Sequence, residues 1–202
     1  RYWLSVEGFI LMVFLFLQKV WRDSMNKTST RNLVLAGLFI ALGIVLPQFI
    51  GHIGELGQRL LPMHIPVLLA GFVCGWPYGL VVGFITPILK SVITAMPPMF
   101  PGAIAMSFEL AAYGLLTGLL YKLFPKKDVY VIPALLISML VGRIVWGIAS
   151  LILLGLSGQP FTWQIFISNA FIKGIPGIVI QIIIIPIIVI ALKRAGLVEN
   201  GK

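Results

Sequence analysis

The chain has 202 residues, of which 59% are hydrophobic and only 10% charged, with a mean hydropathy of +1.06, against about 45–50% apolar and about 25% charged in an ordinary soluble domain. A chain this apolar cannot hide its surface in water, which excludes a soluble globular protein, a disordered chain and a secreted disulfide scaffold. The formal net charge of +9 fits cationic loops on the cytoplasmic side of a membrane better than nucleic-acid binding, because no basic run is interleaved with aromatics.

Residues 1–24 contain an apolar stretch that just reaches spanning length. They read as an extra segment, non-native or ahead of a misplaced start, because Met25-Asn26-Lys27-Thr28 looks like a natural opening. The membrane domain is therefore taken as residues 25–202. A spanning helix needs about 20 mostly apolar residues. Six runs approach that length, at 32–50, 64–79, 80–96, 101–124, 129–156 and 163–193. Continuous runs of this kind are not barrel strands, which alternate over about 10 residues. The second and third runs are short and meet at Trp76-Pro77-Tyr78-Gly79, where Pro and Gly predict a tight turn. The fold class expected is an all-α integral membrane protein, a bundle of six transmembrane helices.

Charge placement sets the orientation. If the chain before Leu33 is cytoplasmic, the inner segments hold Lys19, Arg22, Lys27, Arg31, Lys122, Lys126, Lys127, Lys193, Arg194 and Lys202. The outer segments (51–63, 97–100 and 157–162) hold only Arg59. Both termini are then cytoplasmic. The outer loop at 51–63 carries His52, Glu55 and Gln58 beside Arg59, and the loop at 96–102 is stiffened by three prolines.

No catalytic pattern stands out. The chain lacks the phosphate-binding G-x-x-x-x-G-K-[ST] loop, an H-E-x-x-H pair and a nucleophile elbow. One cysteine, Cys74, two histidines and six acids provide no metal-ligand spacing, so neither a metal nor a cofactor is expected in this chain. Cys74 sits in an apolar run and reads as a small hydrophobe.

Ionisable groups at membrane depth are costly and usually functional. Lys90, Glu109, Arg143 and Lys173 lie well inside the runs. At about 1.5 Å per residue, Lys90 is about 9 Å and Glu109 about 12 Å from the outer side, with Arg143 and Lys173 about 15–20 Å down. One acid does not neutralise three bases, so these four are candidates to face a ligand, with Asn169, Gln164 and Thr86 at similar depth. The alternative is that they only pair with one another. His64 opens the second run at the outer boundary, as a cap or a pocket-rim contact, and Trp146, three residues after Arg143, is a candidate to stack on a ligand. Small residues at helical spacing recur at Gly37/Ala41, Gly71/Gly75, Gly79/Gly83, Ala103/Ser107/Ala111 and Gly114/Gly118. They allow close helix approach, either within the bundle or on a partner.

The Ala/Gly-rich opening LAGLFIALG at 35–43, the block LPMHIPVLLAGFVCGWPYG at 61–79, GFITPILK at 83–90 and AIAMSFELAAYG at 103–114 resemble the substrate-binding S components of energy-coupling factor (ECF) transporters. The resemblance covers residues 25–195 and is nearest the branch for small vitamins and precursors: pantothenate, hydroxymethylpyrimidine or pyridoxine. It implies a binding subunit without its own ATPase, in the plasma membrane of a prokaryote. ATP would be used by two cytoplasmic ATPases carried by a transmembrane coupling protein. It also implies a substrate site near the outer face, and docking through small residues of the first helix. The family's Ala-x-x-x-Ala appears here as Gly37-x-x-x-Ala41, with Ala36 adjacent; Gly71 and Gly75 are added as partner-facing candidates. Three rival readings stand beside it: a self-sufficient ion-coupled transporter or small channel, an intramembrane enzyme using Glu109 and His64, and an assembly protein without ligand. The first would need an inverted repeat or broken helices, and no repeat is visible.

Overall fold

The computed structural model describes residues 30–51, 57, 59–125, 127–160, 162–172, 174–196 and 198. The chain divides into two compact units, residues 1–33 and 34–202; of the first, only 30–33 are described, as the opening turn of a helix. The reading of residues 1–24, and the placement of His52, Glu55, Gln58 and Lys173, fall outside the described residues.

All described secondary structure is helical. The helices are α1 (Thr30–Gly51), α2 (His64–Cys74), α3 (Trp76–Thr94), α4 (Ile104–Leu123), α5 (Val131–Leu156), α6 (Trp163–Ile167) and α7 (Ile175–Arg194). Five of them, α1, α3, α4, α5 and α7, are long and apolar enough to cross a membrane.

The second run departs from expectation. It was expected to span at 64–79, yet α2 has only 11 residues, about 16 Å at about 1.5 Å per residue. Gly75 ends it, with φ at 87° and its N–H donating to the Gly71 carbonyl at 3.1 Å. Glycine takes that conformation without a side-chain penalty. The turn therefore falls one residue before the predicted site, and Trp76–Gly79 forms the first turn of α3. Pro77 fits there because the first N–H groups of a helix have no intrahelical partner. The last run is also broken. Thr162 caps the short α6, a wide turn follows at Ser168–Ile172, and α7 starts anew beyond Gly174 with Pro176 in its first turn.

Glycine seams explain the packing. A Cβ on Gly79 would strike the Gly114 carbonyl, one on Gly83 the Leu110 carbonyl, and one on Gly118 the backbone of Trp76. So α3 and α4 run antiparallel, backbone against backbone. Gly71 of α2 lies equally close to Gly114 and Thr117. In lipid, where apolar side chains gain nothing from leaving their solvent, such close approach is what associates helices. Ten of the residues of α2 are buried, from His64 to Cys74 with only Ile65 partly open, which accounts for an apolar sequence on all its faces. Gly142 of α5 rests on the Tyr113 ring, and Gly43 of α1 on the Thr86 side chain. Thr86 itself bonds the Val82 carbonyl at 2.6 Å, so it serves packing.

Candidate functional site

Three of the expected site residues converge. The Arg143 Nη1 of α5 lies 2.9 Å from the Glu109 Oε1 of α4. The same oxygen accepts from the Tyr113 hydroxyl at 3.0 Å, one helical turn on. The His64 Nε2, at the first residue of α2, is 3.7 Å from it, beyond hydrogen-bond length. The His64 ring packs at a tilt on Tyr113, centroids 5.6 Å apart. All four side chains are buried.

Helix lengths give the depth of this cluster. Both α2 and α3 begin or end at Gly75 and lie side by side, but α3 has 19 residues, about 28 Å. The start of α2 is therefore about 12 Å short of the level of Thr94. That corrects the expected position of His64: it lies inside the bundle, not at its boundary. The α3–α4 register, Gly83 against Leu110, puts Glu109 at a similar depth, well below the α3 terminus. Residues Arg59 and Leu60 descend with the chain, since a Cβ on Gly177 of α7 would press on their backbone.

The cluster is incompletely bonded. Neither ring nitrogen of His64 has a hydrogen-bond partner among the described residues, nor has the Arg143 Nε. Gln181, buried on α7, has an unpartnered Nε2, and α7 packs on α2 and α5. Most buried polar groups are satisfied, and each that is not costs about 1–3 kcal/mol. Two of these side chains, His64 and Arg143, meet at Glu109.

The other expected residues lie elsewhere. Lys90 does not join the cluster: its Nζ donates to the Met96 carbonyl at 2.9 Å. With Ser91 to the Pro97 carbonyl at 2.7 Å and Thr94 to Met96 at 2.9 Å, it ties the proline-rich loop to the end of α3. The Trp146 ring stacks on Phe166, centroids 6.3 Å apart, and Trp163 packs on the same Phe166. Asn169 is half-buried in the wide turn after α6. Among the partner-facing candidates, Ala36 is buried in the core, Gly71 is locked against α4, and Gly75 forms the α2–α3 turn. Ala36 and Gly71 point inward because their small size serves the bundle's own packing, while Gly75 is partly exposed in its turn. Gly37 and Ala41 are exposed, and a Cβ on Gly37 would meet nothing within 4 Å.

The profile of the family described as ECF transporter, substrate-specific component, matches residues 31–189. The chain belongs to this family. No curated protein and no solved structure matches it. As an ECF substrate-specific component, it is a transport subunit and not an enzyme, and with its apolar helices it is an integral membrane protein. Tyr113 of the S component's polar cluster and the buried Gln181 of α7 escaped the sequence reading. Tyr113 follows Glu109 by four residues, which places both on one helix face, and Gln181 is the one amide in the apolar stretch of α7. Both signals were present in the sequence.

Proposed function

We propose that this S component captures a small water-soluble vitamin or precursor, of the hydroxymethylpyrimidine, pantothenate or pyridoxine type, at the outer face for ATP-driven uptake. The observation that carries this reading is the buried Glu109–Arg143–Tyr113–His64 cluster with its unsatisfied His64 and Arg143 nitrogens. The remaining subunits are a transmembrane coupling protein and two cytoplasmic ATPases; the chain itself uses no cofactor. Residues 25–202 form the membrane domain, in the plasma membrane of a prokaryote. They make six passes with both ends cytoplasmic, α2 crossing together with the chain that leads into it. The orientation is supported by Lys122, Lys127, Lys193 and Arg194, which gather at the ends of α4 and α7 and the start of α5. The exposed Gly37/Ala41 face of α1 is the docking surface for the coupling protein.

Mass spectrometry of small molecules released from the purified, heat-denatured protein tests the reading, alongside copurification of partners. A vitamin-sized compound and a bound ATPase module are expected. A protein that releases no small molecule and carries out stand-alone flux in vesicles would overturn it in favour of a self-sufficient carrier.

A further inference from the structure

We infer that the ligand of this site is uncharged where it meets the cluster, and that it presents a hydrogen-bond acceptor beside a donor to Arg143 Nε and the His64 ring. This rests on the substrate-capture reading and narrows its substrate class.

The argument starts from charge. Glu109 and Arg143 already form a pair at 2.9 Å, and the carboxylate oxygen of that pair also accepts from Tyr113. Among the described residues the cluster therefore pairs one acid with one base, since the Lys90 ammonium is turned away to the Met96 carbonyl. An incoming carboxylate would meet the Glu109 carboxylate across one guanidinium, and two carboxylates sharing a site repel. An incoming cation would meet the Arg143 guanidinium, which already balances the Glu109 charge at 2.9 Å. An uncharged group escapes both conflicts.

The unmet hydrogen-bonding capacity then sets the pattern. Arg143 Nε is a donor only, whereas an imidazole nitrogen donates or accepts according to where the ring proton sits. Both are buried and lack a hydrogen-bond partner within reach among the described residues, the Glu109 carboxylate standing 3.7 Å from His64 Nε2. The start of α2 adds the weak positive end of a helix dipole beside His64, which favours an acceptor atom there. A ring nitrogen next to an exocyclic amine, or an amide edge, matches this set; a carboxylate brings only acceptors, and an alkylammonium only donors.

Binding to the full-length protein in detergent is measured by calorimetry with three probes. These are 4-amino-5-hydroxymethyl-2-methylpyrimidine in mildly alkaline buffer, where it is uncharged, the pantothenate anion and the thiamine cation. The pyrimidine is expected to bind at least tenfold more tightly than either charged probe. Two variants locate the contact. His64→Phe keeps a ring against Tyr113 but removes both nitrogens; Arg143→Lys keeps a charge for Glu109 but removes the Nε fork. Each is expected to weaken pyrimidine binding more than tenfold, while the thermal midpoint of the ligand-free His64→Phe protein stays level or rises. Tighter binding of pantothenate or thiamine overturns the inference and leaves substrate capture standing. So does pyrimidine binding that His64→Phe leaves within twofold. Failure of all three probes, with no small molecule released from the purified protein, overturns substrate capture and the inference with it.

Discussion

Glu109 and Arg143 are each almost fully buried, so the pair matters most when one member is lost. Replacing one partner of a buried ion pair leaves an uncompensated charge and costs about 3–5 kcal/mol, whereas replacing both with well-packed apolar residues is often neutral. Glu109→Ala is therefore expected to lower stability in detergent by that amount. Glu109→Leu combined with Arg143→Met should recover most of it, as read by chemical unfolding; a double variant as unstable as Glu109→Ala would show that the pair holds the bundle rather than a ligand. The contrast is Lys193 with Asp128, 2.5 Å apart, where the Asp128 side chain is 45% exposed. Exposed pairs contribute about 0–1 kcal/mol, so Asp128→Asn is expected to leave the midpoint nearly unchanged.

At the scale of helices, glycines of equal appearance in the sequence have opposite roles. Gly114 faces the Gly79 carbonyl with no room for a methyl group, while Gly37 faces open space. Overpacking a tight interface costs about 1–3 kcal/mol and sometimes more. Gly114→Leu is expected to separate α3 from α4 and abolish expression of folded protein. Gly37→Leu should leave folding and ligand binding near normal, but the bulky side chain should block close approach of a partner helix. Uptake and copurification with the coupling protein are then expected to fall together. Loss of ligand binding in the isolated Gly37→Leu protein would remove that face as a docking surface.

For the whole molecule, the testable property is orientation. Lys127 and Gln159 are both exposed and lie at opposite ends of α5. With the buried native Cys74 replaced by alanine, a cysteine at 159 is expected to react with an impermeant maleimide on intact cells. A cysteine at 127 should react only after lysis. The reverse pattern would invert the topology and place the polar cluster toward the cytoplasm.

Apolar run length determined the helical membrane character of this chain, since lipid demands long apolar helices. Glu109 and Arg143 were legible as site candidates for a related reason: a polar group at membrane depth is too costly to be incidental. Tertiary structure decided what composition leaves degenerate. Run length did not reveal that α2 stops at 11 residues, because the φ of Gly75 decides it, and that stop carries His64 into the bundle. Spacing did not separate Gly71 from Gly37, because a small residue permits close approach without naming the neighbour. Depth along separate helices grouped Lys90 with Glu109 and Arg143, yet Lys90 turns toward its own loop. Helix rotation and register, fixed by the glycine contacts of α2, α3 and α4, determine which charges meet.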